Sequence, residues 1–310
     1  MELDRRSFLK VFGAAAGAML LPCGMANASS PSGIPSSGSK GMLVDLTKCI
    51  GCGWCAEACH EWNQLQGEQG PGQENQEGES CLSAETWTLP ELHEIEKDGQ
   101  QHRVFVKRQC MHCQDPACVS ACPVGALQKL ESGAVVYDCS RCIGCRYCMV
   151  ACPFGVPKFE WAEALPRIRK CTFCVDRQDR GLEPACAAAC PTDALTFGDR
   201  DALIAEGEAR IEADPELYVH HVYGKEEVGG TSWMYLSPVN FEELGFPALK
   251  TEPVTALSEA VATYGTAGVA ASVAFLLGGM YYLSGDREKH IQFDEPVPDQ
   301  QAGDLEETES

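Results

Sequence analysis

Basic residues are scarce in this chain of 310 residues, which has 24 Lys and Arg against 45 Asp and Glu and a formal net charge of −21. A polyanion of this kind repels nucleic acid, so the sequence disfavours DNA or RNA binding. The sequence also lacks a Gly-rich nucleotide fingerprint after a strand and a Ser/His/Asp constellation, so neither nucleotide chemistry nor a hydrolytic triad is indicated. Cysteine is abundant instead, with 19 residues.

The N-terminus has the features of an export signal. The paired Arg5 and Arg6 precede a small apolar run that is too short to span a bilayer, and Ala26-Asn27-Ala28 offers an A-x-A cleavage site. Paired arginines followed by Phe-Leu-Lys are typical of the twin-arginine route, which exports folded proteins. We therefore expect residues 1–28 to be a twin-arginine signal peptide and residues 29–41, rich in Ser, Gly and Pro, to be a flexible linker. The alternative is a chance basic stretch ahead of a membrane anchor.

Charge is absent between Glu259 and Asp286. The 26 residues 260–285 would form a helix of roughly 39 Å, longer than the ~30 Å hydrocarbon layer, so a tilted transmembrane helix is predicted. The alternative is a buried core helix. With the main body exported, residues 286–310 would be an acidic cytoplasmic tail.

Sixteen of the cysteines fall into four groups with a recurring spacing. The groups are Cys49-x2-Cys52-x2-Cys55-x3-Cys59, Cys110-x2-Cys113-x4-Cys118-x3-Cys122-Pro123, Cys142-x2-Cys145-x2-Cys148-x3-Cys152-Pro153 and Cys171-x2-Cys174-x11-Cys186-x3-Cys190-Pro191. Three cysteines at short intervals can direct their sulfurs around one cube of iron and sulfide, while the fourth, before Pro, is carried away from it. This run is typical of bacterial ferredoxins, in which the fourth Cys ligates the other cluster of a pair.

Zinc and disulfide scaffolds are the competing interpretations of so many cysteines in an exported chain. Zinc ribbons use paired C-x2-C knuckles, without a third cysteine at the same interval and a remote fourth before Pro. Four 4Fe–4S clusters are therefore predicted, and twin-arginine export agrees, because clusters are inserted in a reducing compartment before the folded protein crosses.

The order of the groups predicts an α+β fold of two interlocked, bacterial-ferredoxin-like di-cluster modules. Groups two and three would form an inner module at about 103–160, inserted into an outer module built from groups one and four, within a body spanning 42–200. Residues 201–258 would be a C-terminal extension packing on the body, with a helix at 201–211 and strands within 218–246. Short strands are expected at 104–106 and 135–137, and short strands after turns near 124–127 and 192–195. The insertion 60–100 is polar and Gly-rich, which predicts a surface loop or lid.

A local excess of basic residues lies among the later cysteines. Residues 141–180 contain eight Lys or Arg and four acids. Cations at this place would compensate the negative charge of the clusters, although a basic surface that docks a partner is nearly as good an explanation. Of the cysteines outside the groups, Cys139 is expected to be buried without a ligand role, and Cys81 has no assigned role.

Three segments resemble a known family. They are Gln109-Cys-Met-His-Cys-Gln-Asp-Pro-Ala-Cys118, Gly144-Cys-Arg-Tyr-Cys-Met-Val-Ala-Cys-Pro-Phe-Gly-Val-Pro-Lys158 and Tyr223-Gly-Lys-Glu-Glu-Val-Gly-Gly-Thr231. The chain resembles the iron–sulfur electron-transfer subunits of molybdopterin oxidoreductase and membrane hydrogenase complexes. The last segment, the twin-arginine peptide and the single C-terminal span resemble the HybA-type subunits of uptake nickel–iron hydrogenases.

This resemblance implies a complete set of cluster ligands. Cys190 would join Cys49, Cys52 and Cys55; Cys59 would join Cys171, Cys174 and Cys186; Cys152 would join Cys110, Cys113 and Cys118; and Cys122 would join Cys142, Cys145 and Cys148. One departure from the pattern is His60 after Cys59, where Pro follows the fourth cysteine in the other groups. That departure weakens the turn argument there and leaves the ligand assignment in place.

The resemblance also implies a function without a substrate pocket. Single electrons would pass from periplasmic hydrogenase catalytic subunits, through the four clusters, to an integral-membrane, quinone-reactive subunit of the NrfD/HybB type. The chain would lie on the periplasmic side of the bacterial inner membrane, anchored by one helix. The alternatives are the beta subunit of a formate dehydrogenase or another molybdoenzyme, and a membrane anchor or assembly protein with structural clusters.

Overall fold

A computed structural model describes residues 38–66, 73–74, 80–97 and 99–284. The described residues up to Thr255 belong to one compact unit, and those from Ala256 belong to a second. The predicted signal peptide 1–28 and acidic tail 286–310 lie outside the described residues.

The first unit is built around strand β1 (Lys40–Asp45). Its neighbours are β10 (Leu195–Asp199), which is antiparallel, and β11 (Trp233–Leu236), which is parallel. Because both edges of β1 are paired and both faces are covered, Met42, Leu43 and Val44 are fully buried. The sheet therefore pairs Val44 with Leu195 and Tyr235, which belong to two strands that both follow the fourth cysteine group.

Four two-stranded ribbons surround this sheet. They are β2 (Gln73–Glu74) with β3 (Ser80–Cys81), β4 (Leu89–Lys97) with β5 (Gln100–Arg108), β6 (Leu127–Lys129) with β7 (Val135–Tyr137), and β8 (Lys158–Phe159) with β9 (Ile168–Arg169). The strands predicted at 104–106 and 135–137 are confirmed within β5 and β7, and those after the turns are β6 and β10. The prediction of a loop across the insertion 60–100 is wrong at 89–97, because alternate residues of β4, including Leu89 and Ile95, are buried against the core and the strand pairs along its whole length with β5.

Short helices hold the third cysteine of every group. They are α1 (Trp54–Asn63), α2 (Ala117–Ser120), α3 (Tyr147–Ala151) and α5 (Ala185–Ala188), with α4 (Val175–Gln178) inside group four. Helix α1 contacts α5, and α2 contacts α3. Group one is thus brought to group four, and group two to group three.

The region after the fourth group completes the first unit. Helix α6 (Arg200–Ala213) confirms the helix predicted at 201–211, and the Asp199 carboxylate caps it by accepting from the N–H groups of Asp201 and Ala202. Between 218 and 246 the structure has one strand, β11, and two 3₁₀ helices, Glu227–Gly229 and Phe241–Leu244. The strand prediction there holds for β11 only, since the remaining aromatic residues pack on one another rather than in a sheet.

The second unit contains α7 (Ala256–Ala260), a π-helical turn (Val261–Gly265) and α8 (Thr266–Ser284). The sequence predicts a transmembrane helix at 260–285. Within the part of the chain that the structure describes, no helix has both the length and the apolar character needed to cross a bilayer. The structure therefore does not confirm the predicted span.

Candidate metal centres

The four C-x2-C loops share one backbone feature. The residue before the second cysteine has a positive φ in each group: 68° at Gly51, 47° at His112, 70° at Gly144 and 59° at Phe173. This left-handed conformation turns the chain sharply and directs N–H groups toward the preceding sulfur. The sequence indicated such turns at the glycines only, because His and Phe rarely adopt this conformation.

Backbone amides donate to the first cysteine of these loops. The N–H of Gly144 lies 3.4 Å from Cys142 Sγ, and the N–H of Phe173 lies 3.3 Å from Cys171 Sγ. Hydrogen bonds from N–H groups favour the charged form of an acceptor. The loops are thus shaped to stabilise thiolates, the form in which cysteine binds metal.

The fourth cysteines before Pro are surrounded by amides as well. Cys122 Sγ accepts from the N–H of Ala126 at 3.2 Å. Burial alone would raise the pKa of Cys122, but the amides that follow Pro123 outweigh burial, so its pKa is lowered. Near Cys152, burial raises the pKa of the thiol while the amides of Val156 and Phe154 oppose it. The Cys-Pro turn therefore supplies hydrogen-bond donors as well as a change of chain direction.

Groups one and four together form two gatherings of thiols, that is, sets of cysteines whose charges raise one another's pKa. In the first, burial raises the pKa of Cys49, and charge on Cys190 and Cys52 raises it further. In the second, burial raises the pKa of Cys59 to about 12, with further increases from charge on Cys186 and Cys174. The fully buried Cys171 also has its pKa raised, first by burial and then by charge on Cys59 and Cys174.

Groups two and three share two more gatherings. Burial raises the pKa of Cys113 well above its ordinary value, and charge on Cys110, Cys152 and Cys118 adds to it. Burial likewise raises the pKa of Cys148 to about 11, with contributions from Cys142, Cys122 and Cys145. The structure therefore places each fourth cysteine near a cysteine of another group: Cys190 near Cys49, Cys59 near Cys171, Cys152 near Cys113, and Cys122 near Cys148.

Electrostatic effects between thiols link one gathering to the next. Charge on Cys186 raises the pKa of Cys55, charge on Cys110 raises that of Cys171, and charge on Cys148 raises that of Cys118. These effects connect the four gatherings in a single row, called the file below. The file starts at the gathering that contains Cys49 and ends at the gathering that contains Cys142.

Sulfur-only gatherings of this kind suit an iron–sulfur cofactor. The sixteen cysteines of the four groups form no disulfide. Buried thiolates that raise each other's pKa cannot all be charged without a compensating cation, and a bound metal removes the penalty because a coordinating thiol is deprotonated outright. A single ion needs its ligands within ~2.3 Å of one point, and among the described residues no group of three or more His, Cys, Asp or Glu is suited to hold one.

Buried ammonium groups lie near the thiols. Burial alone would lower the pKa of Lys107, but charge on Cys186, Cys55 and Cys171 outweighs it and raises the pKa. The Lys107 ammonium donates to Gln109 Oε1 at 3.1 Å and lies 4.5 Å from the centre of the Trp233 ring. Lys129 donates to the carbonyl of Gly133 at 2.7 Å, and burial lowers its pKa to about 8 although charge on Cys113 opposes the change.

The sequence located this compensation only in part. In the basic window 141–180, Lys170 alone is buried, while Arg141, Arg146, Arg167 and Arg180 are exposed. Lys107 and Lys129 come from strands β5 and β6, outside the window, and no spacing pattern marks them. The exposed arginines fit the second interpretation of the window, a basic surface that receives a partner.

His112 and Phe173 connect the two central gatherings. Their rings stack with centroids 5.1 Å apart, and both side chains are buried. His112 Nδ1 accepts from the N–H of Val135 at 2.8 Å, so the ring proton is on Nε2, for which the described residues supply no acceptor. Burial, followed by the charges of Lys170 and Lys129, holds the pKa of His112 well below its usual range, so the ring is a neutral donor beside the sulfurs. A sulfide-bearing cofactor would satisfy such a donor.

The two ends of the file are exposed and its middle is not. At the ends, exposure is 60% for Ile50 and 65% for Ile143, each lying between two cysteines of its loop. The equivalent Met111 in the middle is 4% exposed. An aromatic residue two positions after each outer loop is also exposed, Trp54 at one end and Tyr147 at the other.

Two of the three cysteines outside the groups lie within the described residues. Cys139 is exposed, so the expectation that it is buried is wrong. It occupies a surface turn in which the Asp138 carboxylate accepts from the N–H and the hydroxyl of Ser140. Cys81 lies in strand β3, half-buried.

Comparison with known families identifies the cofactor. The 4Fe-4S binding domain family matches residues 42–59, which contain group one, and the 4Fe-4S dicluster domain family matches residues 101–200, which contain the other three groups. The predicted cofactor is thereby confirmed. The chain carries 4Fe–4S clusters, four by the number of its cysteine groups.

Three relatives cover most of the chain. A protein of Nitratidesulfovibrio vulgaris is 42% identical over 93% of this chain and 78% of its own length. The hydrogenase-2 operon protein HybA of Escherichia coli O157:H7 is 36% identical over 83% of this chain and 88% of its own. The iron-sulfur subunit of the nitrate-inducible formate dehydrogenase of Escherichia coli K12 is 40% identical over 63% of this chain and 66% of its own. The chain therefore belongs to the HybA-type family of ferredoxin-like, iron–sulfur electron-transfer subunits.

Proposed function

We propose that this chain conducts single electrons between a periplasmic catalytic subunit of the hydrogenase type and an integral-membrane, quinone-reactive subunit of the NrfD/HybB type. A bound 4Fe–4S cluster supplies one-electron chemistry. The protein holds the clusters in order, insulates them and exposes the two ends. The observation that carries the proposal is the file of four thiol gatherings, because a continuous file is what an electron path requires.

The ligands follow the four gatherings. We propose Cys49, Cys52, Cys55 and Cys190 for set 1; Cys59, Cys171, Cys174 and Cys186 for set 2; Cys110, Cys113, Cys118 and Cys152 for set 3; and Cys122, Cys142, Cys145 and Cys148 for set 4. The mutual effects of these thiols on their pKa values support each set. Sets 1 and 2 would form one di-cluster module and sets 3 and 4 the other, which the contacts of α1 with α5 and of α2 with α3 support.

The order of the path is then set 1, set 2, set 3 and set 4. This order is supported by three effects on thiol pKa values. Charge on Cys186 raises the pKa of Cys55, charge on Cys110 raises that of Cys171, and charge on Cys148 raises that of Cys118. Partners dock at sets 1 and 4, where Ile50 and Ile143 are exposed within the cysteine loops. Exposed apolar residues at the centre of an interface, rimmed by arginine, are typical of docking surfaces.

We propose export by the twin-arginine route and attachment to the periplasmic side of the inner membrane. The support for attachment is the uncharged stretch between Glu259 and Asp286, together with the exposed, consecutive Phe275, Leu276 and Leu277 on α8. Lys substitutions at Arg5 and Arg6 are expected to retain the protein in the cytoplasm. Cell fractionation measures this, and unchanged export of that variant would contradict the route.

A hydrogenase is favoured over a formate dehydrogenase as the donor. HybA covers 83% of the chain, whereas the formate dehydrogenase subunit covers 63%. The chain should be affinity-purified anaerobically with its native partners and assayed for iron, sulfide, nickel and molybdenum. We expect nickel in the complex, and cluster reduction by hydrogen but not by formate, observed by EPR.

Three other outcomes of this experiment would each reject part of the proposal. Molybdenum together with reduction by formate would assign the chain to a molybdoenzyme. Clusters that never change oxidation state with any physiological donor would indicate a structural role in anchoring or assembly. A colourless protein without iron and sulfide would reject the electron-transfer function altogether.

A further inference from the structure

Cys59 is held differently from the other fourth cysteines. Cys122, Cys152 and Cys190 are followed by Pro, which breaks the helix. Cys59 is followed by His60, and α1 continues to Asn63. Inside a helix the backbone N–H groups bond to carbonyls four residues earlier, so those after Cys59 are not free to reach its sulfur. The helix therefore removes the backbone donors that Cys122 and Cys152 receive.

The side chain of Asn63 lies at this place. Residues four apart lie on the same face of a helix, so Asn63 is directly above Cys59. Its Nδ2 is 2.8 Å from the Cys59 carbonyl oxygen and 3.5 Å from Cys59 Sγ. The nearer contact fixes the orientation of the amide, because a carbonyl oxygen only accepts and must face the NH₂ group rather than Oδ1. One hydrogen of that group is thus used by the carbonyl, and the other is available to the sulfur.

The end of α1 that carries Asn63 is fixed to group four. The neighbouring Trp62 donates from Nε1 to Asp176 Oδ2 at 2.8 Å, and the Arg177 guanidinium lies 4.5 Å from the centre of the Trp62 ring. Asp176 and Arg177 belong to α4, which directly follows Cys174. The helix end and the loop of Cys171 and Cys174 are therefore held together, which keeps the Asn63 amide in place above the sulfur.

We propose that Asn63 is a positioning residue that donates an N–H to the Cys59 thiolate and raises the reduction potential of the cluster bound by set 2. This inference rests on the proposed ligand sets. Reduction adds negative charge to a cluster and its thiolates, so a hydrogen-bond donor to a thiolate stabilises the reduced form more than the oxidised form. Asn63 thus replaces, with one side-chain amide, the backbone amides that a Cys-Pro turn supplies elsewhere.

The test compares three variants of the full chain, each purified anaerobically in its complex. Asn63→Leu removes the donor and retains a good helix former, so the helix is preserved. Asn63→Asp keeps the size and places a carboxylate beside the thiolate. Gln64→Ala, the control, removes the amide of the exposed next residue, which already has a positive φ of 50°. The midpoint potentials of the four clusters are measured by EPR-monitored redox titration.

We expect one of the four potentials to fall in Asn63→Leu and to fall further in Asn63→Asp, with all four unchanged in Gln64→Ala. Unchanged potentials in both Asn63 variants, or an equal shift of all four clusters, would overturn the proposal. Failure of the electron-transfer function itself is distinguishable, since the wild-type chain would then either lack iron and sulfide or hold clusters that no physiological donor reduces, whatever their midpoint potentials in the variants.

Discussion

The outer and inner cysteine loops of this chain use the same backbone turn for opposite purposes. The outer loops carry Ile50-Gly51 and Ile143-Gly144, and the isoleucines are exposed. The inner loops carry Met111-His112 and Thr172-Phe173, and His112 and Phe173 are buried against each other. In the outer loops the turn residue is a half-buried glycine, whereas in the inner loops a ring fills the space where two turns meet in the interior.

This difference shows how one protein can both insulate its cofactors and expose the two ends of the path to partners. The stacked rings fill the space between sets 2 and 3, and the buried Lys107 supplies positive charge near sets 1 and 2 and Lys129 near set 3. At sets 1 and 4 the burial is incomplete until a partner covers the exposed apolar residues. The asymmetry between middle and ends is thus what a relay within a larger complex requires.

The largest effect on the path between the two ends is expected from the removal of an inner ligand. In the purified complex, Cys186→Ser is expected to lose the cluster of set 2 and to interrupt the path between the two ends. Since set 1 is then separated from sets 3 and 4, a donor reduces the clusters on one side of the gap only. Iron and sulfide analysis measures the first effect, and EPR after addition of the donor measures the second.

The matched control is Cys139→Ser, which alters an exposed cysteine in a surface turn. It should retain all iron and all reducible clusters. Full reduction of the remaining clusters in Cys186→Ser would contradict the single-file order, and loss of iron from Cys139→Ser would contradict the ligand sets.

The next largest effect is expected at the exposed end near set 4. Ile143→Asp places a charge at the centre of the proposed docking surface, where burial of an unpaired carboxylate is costly. We expect binding to the partner at that end to weaken by roughly tenfold or more, with the cluster content unchanged. Quantitative pull-down against the partner subunits measures the first and iron analysis the second.

Leu182→Asp provides the control for this surface. Leu182 is also exposed, but it lies between α4 and α5, away from the outer loops. Partner binding should remain near that of the wild-type chain. Equal weakening by both substitutions would show that added charge, rather than the position of Ile143, is responsible.

For the buried residues of the inner loops, the difference from the outer loops should appear in the free energy of unfolding. Phe173 contacts the rings of His112, Phe197 and Trp233. Phe173→Ala would leave a cavity that costs about 3–5 kcal/mol, which lowers the melting temperature by roughly 10 °C. Thermal loss of the visible absorbance of the clusters monitors the change.

Trp161→Ala is the corresponding exposed substitution. Trp161 lies 69% exposed beside the outer loop of set 4, where Arg146 stacks on its ring at 4.9 Å. Its removal should change stability by no more than about 0.5 kcal/mol. Equal destabilisation by the two substitutions would remove the distinction between an insulated middle and an open end.

The cofactor and the family were predictable from the sequence, because cluster ligation imposes a local spacing on the cysteines. The strands around the groups were predictable too, since 104–106 within β5 and 135–137 in β7 are short apolar segments beside cysteines. What the sequence did not indicate depends on contacts between distant segments. Lys107 and Lys129 are buried because β5 and β6 pack near the thiols, and no local sequence pattern marks either lysine as buried.

Two further features could not be found from local pattern. The stack of His112 on Phe173 requires groups two and four to meet, and the turn shared by all four loops holds both residues in a backbone conformation that their side chains disfavour. The contact of Asn63 with Cys59 could have been found from the four-residue spacing and the missing Pro, had a helix been predicted through Cys59. The missing Pro was therefore the informative signal.

The smallest effect distinguishes backbone strain from packing within a single loop. Gly51 and Gly53 have positive φ values of 68° and 81°. An alanine at Gly53 would meet no atom within 4 Å, whereas a Cβ at Gly51 would lie 2.3 Å from the Phe105 ring. Gly53→Ala should therefore cost only the strain of about 1–2 kcal/mol, and Gly51→Ala about 1–3 kcal/mol more. The difference in melting temperature between the two variants measures the packing of Phe105 on the outer loop, and equal melting temperatures would mean that the ring moves aside without cost.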